Sequence, residues 1–469
     1  MNKIANTDYQ ISNHQDTICA PATAPGGALG IIRVSGPDAF AAVSSLCSVD
    51  CIAAPANTVH FTRITAPVPA GSPAGQEIID EALLSIFRAP HSYTGEDTVE
   101  ISCHGSSYIT NRILELLVQN GCRMAMPGEF TQRAYLNGKM DLSQAEAVAD
   151  LIASTSKATH DIALSQLRGQ FSSELRNLRD QLLKLTSLLE LELDFSDHED
   201  LEFADRSELL QLSQQIASHI SKLANSFHIG NALKNGIPVA IIGAPNVGKS
   251  TLLNALIGEE RAIVSDIEGT TRDAIEDTIQ LDGITFRFID TAGIRHTDDK
   301  IELMGIERTF TTIAKARIVL WLLDKAPTPS VLADMQKRCE GKTLIVVWNK
   351  ADLLSSFSCQ VCCDSIAAPI PISAKYSIGL DTLRQQLLAA APKTADNDVI
   401  VTNARHYEAL TRAQSNLQRV LEGMAQNISG DLLSEDLHLT LDPLAEITGG
   451  QITPNEVLGN IFKNFCVGK

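Results

Sequence analysis

Residues Gly243-Ala-Pro-Asn-Val-Gly248-Lys249-Ser250 constrain this chain more than any other segment. They fit the pattern G-x-x-x-x-G-K-[ST], follow the apolar run Val239–Ile242 and precede the apolar run Thr251–Ile257. Strand, glycine-rich turn and helix in that order build a phosphate cradle. Successive backbone N–H groups and a helix N-terminus surround the oxyanions, Lys249 reaches the β/γ oxygens, and the Ser250 hydroxyl suits Mg²⁺. No other stretch of the chain repeats the pattern.

The surroundings agree with that cradle. From Asn235-Gly236-Ile237-Pro238 to about Ala391, apolar strands alternate with helical patterns, which predicts a parallel sheet covered on both faces. Gly269-Thr270-Thr271-Arg272-Asp273 offers Thr271 as a second Mg²⁺ ligand in a switch loop. Asp290-Thr291-Ala292-Gly293 closes the strand Ile284–Ile289, with Asp290 toward the metal and the Gly293 N–H toward the γ-phosphate.

Asn349-Lys350-Ala351-Asp352 follows the apolar run Leu344–Trp348, and Ser373-Ala374-Lys375 follows Ile370–Ile372. A carboxylate at 352 can accept from both N1–H and N2–H₂ of guanine, donors that adenine does not present there, so Asp352 selects GTP over ATP. The four strings, each at a strand end and in this order, resemble a Ras-like GTPase. The residue after Asp290–Gly293 is Ile294, where a water-orienting glutamine would stand. Another residue must then orient the water, and spacing does not choose among Arg295, His296, Asp298, Asp299, Glu302, Glu307 and Arg308.

The chain has 469 residues, enough for two to four domains at roughly 100–200 residues each. Its composition, 44% apolar and 20% charged, excludes a disordered, collagenous or disulfide-built protein. The net charge of −18 repels nucleic acid at long range, so an RNA partner needs a local patch or a basic second protein. No apolar run approaches the ~20 residues that span a bilayer. The first ten residues lack the apolar stretch of a secretory signal, which predicts a cytoplasmic protein with reduced thiols. Cys359, Cys362 and Cys363 have no second Cys or His pair at zinc spacing and read as incidental loop thiols.

On either side of the GTPase segment the texture changes. Ile18 to about Pro127 reads as mixed α+β, with strands at Ala28–Val34 and Thr98–Cys103 and a helix at Tyr108–Gln119. Ser143-Gln-Ala-Glu146 has the S-x-x-E form of a capping box. Leucines then recur at helical spacing through Leu164, Leu167, Leu175, Leu178, Leu182, Leu185 and Leu189, and helices continue to about Asn225. After the linker Pro392–Asp398, Val401–Gly423 and Asp431–Ile447 are helical again. The fold class expected is multidomain α/β with all-α. An N-terminal α+β domain (1–136) precedes a helical domain in two parts (137–232 and 392–469), interrupted by a Ras-like P-loop GTPase domain (233–391).

Strings outside the GTPase segment narrow the family. Gly30-Ile-Ile-Arg33-Val-Ser-Gly36, Ser92-Tyr-Thr-Gly-Glu-Asp97, Pro127-Gly-Glu-Phe130, Asn137-Gly-Lys139-Met-Asp-Leu-Ser-Gln-Ala-Glu146 and Phe465-Cys466-Val467-Gly468-Lys469 together resemble the MnmE (TrmE) tRNA-modification GTPases over essentially the whole length. The resemblance implies a 5-formyl- or 5,10-methylene-tetrahydrofolate site at Arg33, Glu100, Lys139 and Lys469, with Cys466 near the modification chemistry. It implies K⁺ held by Asn246, Ser265, Ile267 and Thr270, in a nucleotide site that takes in Asn246–Thr251, Ser265, Asp266, Ile267, Glu268, Gly269, Thr270, Thr271, Asp290–Gly293, Asn349–Asp352 and Ser373–Lys375. Glu302 falls on the family's catalytic glutamate.

It also implies a homodimer formed through the N-terminal domains. An FAD-dependent, MnmG-like partner would complete a heterotetramer, provide most of the tRNA contact, and share in adding an aminomethyl or carboxymethylaminomethyl group to C5 of the wobble uridine. A ribosome-assembly GTPase of the Era or Der kind would share the GTPase strings, but it requires a KH module or a second P-loop, and neither is found. A self-assembling membrane GTPase would need a basic lipid-binding patch or an anchor.

Overall fold

The computed structural model describes residues 16–67, 76–194, 206–259, 277–289, 311–353, 368–392, 398–426, 428–450, 458, 461, 462, 465 and 468. The chain forms two compact units. One comprises Met1–Ala153, Leu164–Ala217 and Arg412–Lys469; the other comprises Ser154–Ala163 and Ser218–Thr411.

The first unit opens with β1 (Ile18–Pro21), β2 (Leu29–Ser35), α1 (Ala39–Ser44), β3 (Thr58–Pro67), β4 (Gln76–Phe87), β5 (Thr98–His104), α2 (Ser107–Gln119), β6 (Arg123–Met124) and α3 (Glu129–Leu136). Its six-stranded sheet has the order β3-β4-β5-β2-β1-β6, antiparallel except where β1 meets β6. The two-residue alternation of a strand sends Ile32 and Val34 into a core shared with Val99, Ile101, Leu84 and the α2 residues Ile113, Leu116 and Leu117. The intervening residue Arg33 pairs in register with Glu100 on the other side of the sheet.

The helical part runs through α4 (Leu142–Ala153), α5 (Lys157–Leu167), α6 (Gln170–Asp194) and α7 (Arg206–Asn235). The capping box expected at Ser143 lies two residues earlier. Asp141 Oδ1 accepts from the Gln144 N–H at 3.0 Å, and Gln144 Oε1 accepts from the Asp141 N–H at 3.0 Å. Leu142 and Ala145, both fully buried, pull the helix start upstream. The leucine stripe is divided by Gly169, which sits at φ +82° between α5 and α6. Leu175, Leu178, Leu182, Leu185 and Leu189 are buried on α6, along which the later helix Gly430–Thr448 packs. That stripe is a bundle core.

Helix α7 does not stop near Asn225. It continues to Asn235, because Ile229 and Leu233 pack against the core of the second sheet, and Gly236 at φ +82° ends it. The second unit continues with β7 (Ile237–Gly243), α8 (Lys249–Glu259), β8 (Asp277–Leu281), β9 (Ile284–Phe288), β10 (Ile318–Leu323), α9 (Pro329–Arg338), β11 (Thr343–Trp348), β12 (Ile370–Pro371) and α10 (Leu380–Ala390). Strand order is β12-β11-β10-β7-β9-β8, and only β8 runs antiparallel. Val239, Ile241, Leu320, Leu322 and Val347 face a core with α8 and α10, whereas Ala240, Ile242, Val319, Trp321 and Val346 face a core with α9. Burial on both faces explains the unbroken apolar runs.

Two further helices follow, α11 (Ala404–Ala425) and α12 (Gly430–Thr448). The helical pattern expected from Val401 begins at Ala404, because Asn403 caps it: its Oδ1 accepts from the Arg405 N–H at 2.9 Å. Among the described residues no helix is long and apolar enough to cross a membrane.

Candidate functional site

The loop 243–250 leaves the carboxyl end of β7, a central strand, and enters α8 at Lys249. Ligands of open α/β sheets bind at this edge. Asn246 stands at φ +61° with an exposed side chain, and Gly248 at φ +103°. A side chain on Gly248 would collide with the Asn349 amide, so the glycine is required by both backbone and neighbour. Val247 is buried and fastens the loop to the core.

Lys249 Nζ lies 2.9 Å from the Gly243 carbonyl and 2.8 Å from that of Ala244. Burial pulls its pKa below the usual lysine value. A phosphate arriving here would restore the favourable charged state. Ser250 occupies the first turn of α8, half-buried, and Thr251 follows with an exposed side chain.

Asn349 joins the loop to two later strand ends. Its Nδ2 donates to the Val247 carbonyl at 2.8 Å, and its Oδ1 accepts from the Ala374 N–H at 3.0 Å. Asp352, in the 3₁₀ turn Ala351–Leu353, accepts from the Ser373 hydroxyl at 2.6 Å. Lys350, at φ +62°, pairs with Asp324 at 2.9 Å, and Lys375 Nζ lies 5.1 Å from the centre of the Tyr376 ring. The structure thus brings 246–251, 349–352 and 373–375 to one edge of one sheet. Asp324 and Tyr376 are neighbours that motif reading does not supply. Ser265–Thr271, Asp290–Gly293, Glu302 with the other water-orienting candidates 295–308, and Cys359, Cys362 and Cys363 lie outside the described residues.

A second constellation occupies the first unit. Arg33 Nε and Nη2 both donate to Glu100 Oε1, at 2.9 and 2.8 Å, and Nη1 donates to the Gly468 carbonyl at 3.2 Å. The guanidinium carbon sits 5.1 Å from the Tyr93 ring centre and 5.6 Å from that of Phe130. Phe130 is fixed by the start of α3, where Glu129 accepts from Arg123 at 2.5 Å and from the Met126 N–H at 2.8 Å. Burial pushes the Glu129 pKa up, but the Arg123 guanidinium and the Met126 N–H outweigh it and hold the carboxyl below its usual range.

Gly468, at φ +94°, lies so close to Pro21 and Ala22 that a methyl group there would collide with both. Lys139 has a partner of its own: its Nζ donates to the Pro90 carbonyl at 2.8 Å, and its stem lies against Gly95. Tyr93, Phe130 and Gly468 belong to strings noted in the sequence, but their convergence on Arg33 is visible only in the fold. Cys466 and Lys469 are outside the described residues.

A mostly parallel sheet with G-x-x-x-x-G-K-S after a central strand, and N-K-x-D and S-A-K after two others, defines a P-loop GTPase. Two family models match most of the chain: the GTP-binding protein TrmE N-terminus matches residues 17–139, and the MnmE helical domain matches residues 142–466. A protein of Phocaeicola vulgatus named tRNA modification GTPase MnmE is 53% identical, covering 97% of this chain and 99% of its own. One of the same name from Bacteroides fragilis is 56% identical over 97% and 100%, and one from Porphyromonas gingivalis 49% over 98% and 99%. The chain belongs to the MnmE (TrmE) family of GTP hydrolases.

Proposed function

We propose that this protein, a tRNA modification GTPase, is activated by K⁺ and adds an aminomethyl or carboxymethylaminomethyl group to C5 of the wobble uridine of certain tRNAs, using a tetrahydrofolate one-carbon donor. It acts as a cytoplasmic homodimer with an FAD-dependent, MnmG-like partner that makes most of the tRNA contact. Residues 1–136 bind folate and dimerise, 233–391 hydrolyse GTP, and 137–232 with 392–469 form the helical domain. The observation that carries the reading is the Arg33–Glu100–Gly468 constellation in the same chain as the P-loop unit, since GTP hydrolysis alone has no use for it.

In the GTPase unit, Asp352 accepts from the guanine N1–H and N2–H₂ edge, while Asn349 holds the P-loop and the 373–375 loop in register. The amides of 246–251 and Lys249 hold the phosphates, and Ser265–Thr271 and Asp290–Gly293 are the remaining residues assigned to the nucleotide. Ser250 and Thr271 would hold Mg²⁺. K⁺ requires oxygen donors beside the phosphates, and the exposed side chain of Asn246 at φ +61° fits; Ser265, Ile267 and Thr270 would complete the set. When bound, K⁺ supplies positive charge where negative charge develops as the γ-phosphoryl departs. Glu302 orients the attacking water in place of the missing glutamine.

In the first unit Glu100 Oε1 is taken by Arg33, and Oε2 stands outside that pair, a suitable acceptor for the aminopyrimidine edge of a pterin. Tyr93, half-buried and backed by the buried Phe130, gives flat apolar contact. Lys139 and Lys469 would suit the glutamate tail, and Cys466 would serve the modification chemistry.

Two measurements test the reading. GTP turnover in KCl should exceed turnover in NaCl at equal ionic strength, and equal rates would remove the K⁺ assignment. Nucleoside mass spectrometry of tRNA from a deletion strain should show loss of the C5-modified uridine; an unchanged nucleoside profile would remove the tRNA assignment.

A further inference from the structure

At the edge of the second sheet opposite the P-loop lies a cleft of about 780 Å³. Pro238 at the start of β7, Arg317 just before β10 and Thr343 at the start of β11 form its floor. Arg287, Lys315, Arg317 and Lys342 line it, with His228 of α7 at one side, and none of its described lining residues is acidic. In a chain of net charge −18 this is a local reversal of sign.

The cations are held toward the cleft by the fold. Lys342 Nζ donates to the Ala314 and Ala316 carbonyls at 2.8 and 2.7 Å, which fixes its ammonium at the end of the helical segment 311–315. The Arg317 N–H donates to the Pro238 carbonyl at 2.9 Å, so Arg317 is anchored to the same strand that carries the P-loop at its other end. Lys315 is exposed and Arg317 half-buried. Beside His228 on α7, Phe227 stacks on Tyr407 with centroids 4.6 Å apart and planes at 15°, and His228 meets Tyr407 edge-on at 5.6 Å. That packing holds His228, the exposed ring at the side of the cleft, beside the cations, and clustered cations without an acid among them suit the phosphates of an RNA backbone.

We propose that this cleft binds phosphate groups of an RNA backbone. The assignment rests on the proposed tRNA function and deepens it, placing an RNA contact about 17 Å from the P-loop, the length of β7 from Pro238 to Gly243. GTP and RNA can then occupy the two ends of one strand at the same time.

The test uses the full-length protein saturated with GDP and Mg²⁺, so that the P-loop is filled, and fluorescence anisotropy of a labelled tRNA transcript across a range of KCl concentrations. The double variant Lys315→Glu/Arg317→Glu should bind at least about tenfold more weakly. Its plot of log K against log salt should be shallower by about 1.4–1.8, the release expected for two lost phosphate contacts. GTP turnover without tRNA should be unchanged, which reports that the unit is folded. The milder Lys315→Gln should reduce the slope by about half as much.

An unchanged affinity and slope in the double variant would overturn the proposal, as would a wild type that binds no tRNA. Calorimetry with inorganic pyrophosphate supplies the second arm: binding that the variant abolishes, alongside unaltered tRNA binding, would reassign the cleft to a small phosphate and overturn the RNA source. If the deletion strain loses its modified uridine while the variant's slope stays unchanged, the cleft assignment fails and the proposed function stands.

Discussion

Asn349→Ala should disable nucleotide binding by removing a strut that touches no reacting atom. The side chain is 4% exposed and satisfies two buried backbone groups, the Val247 carbonyl and the Ala374 N–H. Both parent residues are themselves nearly inaccessible, Val247 at 1% and Ala374 at 4%. An orphaned buried polar group costs about 1–3 kcal/mol, so truncation costs about 2–6 kcal/mol in all. If the two loops hold their places in the free protein, the cost appears as lost stability. If they relax into water, nucleotide must re-order them, and even the lower bound becomes an affinity loss of about thirtyfold.

Urea unfolding of the nucleotide-free protein and fluorescent-GDP titration together capture both routes, and their summed shift should reach about 2 kcal/mol. Asn349→Asp keeps the acceptor for Ala374 but sets a carboxylate oxygen against the Val247 carbonyl. It should be at least as damaging at neutral pH and recover in mild acid as that carboxylate takes a proton. Variants in which stability and GDP affinity both stay within about 0.5 kcal/mol of wild type would refute the strut.

Asp352→Asn should lower GTP turnover by at least about a hundredfold and restore it with xanthosine triphosphate, whose C2 carbonyl can accept from the new amide; parallel steady-state assays read this directly. Cys47 is half-buried, and its thiol is brought down to about 7, chiefly by a hydrogen bond from Cys51 against the opposing effect of burial. Peptide mapping after iodoacetamide should therefore find Cys47 alkylated ahead of Cys51, with a half-maximal rate near pH 7 that moves toward 9.0 in Cys51→Ala. The lowered Glu129 pKa contributes stability above the ordinary value of 4.5 and loses it as pH falls through the lower folded value. Urea unfolding across that acid range should show a steeper decline for wild type than for Glu129→Gln, which should itself be weaker at neutral pH by about 3 kcal/mol.

What could be read from the residues followed from how far each signal reaches along the chain. The strands around the P-loop were legible because burial on both faces leaves unbroken apolar runs, as in Val239–Ile242 and Ile318–Leu323. The hairpin of β3 and β4 gave no such run, since Val59, Phe61 and Leu83 face outward and mix with polar neighbours. The displaced helix start at Asp141 shows tertiary packing deciding between two plausible caps: D-x-x-Q and S-x-x-E are equally good locally, and burial of Leu142 selects the first. The end of α7 escapes local reading for the same reason, because Ile229 and Leu233 are held by a sheet built from residues that follow them in the chain. Tyr93, Phe130 and Gly468 around Arg33 carry no local mark of their convergence, and the hydrogen bond from Arg33 to Gly468 spans 435 positions.

That closure has a temporal consequence for synthesis. A nascent polypeptide emerging from the ribosome can assemble the strands bearing Arg33 and Glu100 early, yet the carbonyl that caps the guanidinium arrives only with residue 468. Until then the arginine keeps one N–H facing solvent and the rim beside Pro21 is open. Completion of the pocket around Arg33 therefore waits for synthesis of residue 468, and a bulky insertion beside Gly468 would be felt more than four hundred positions away.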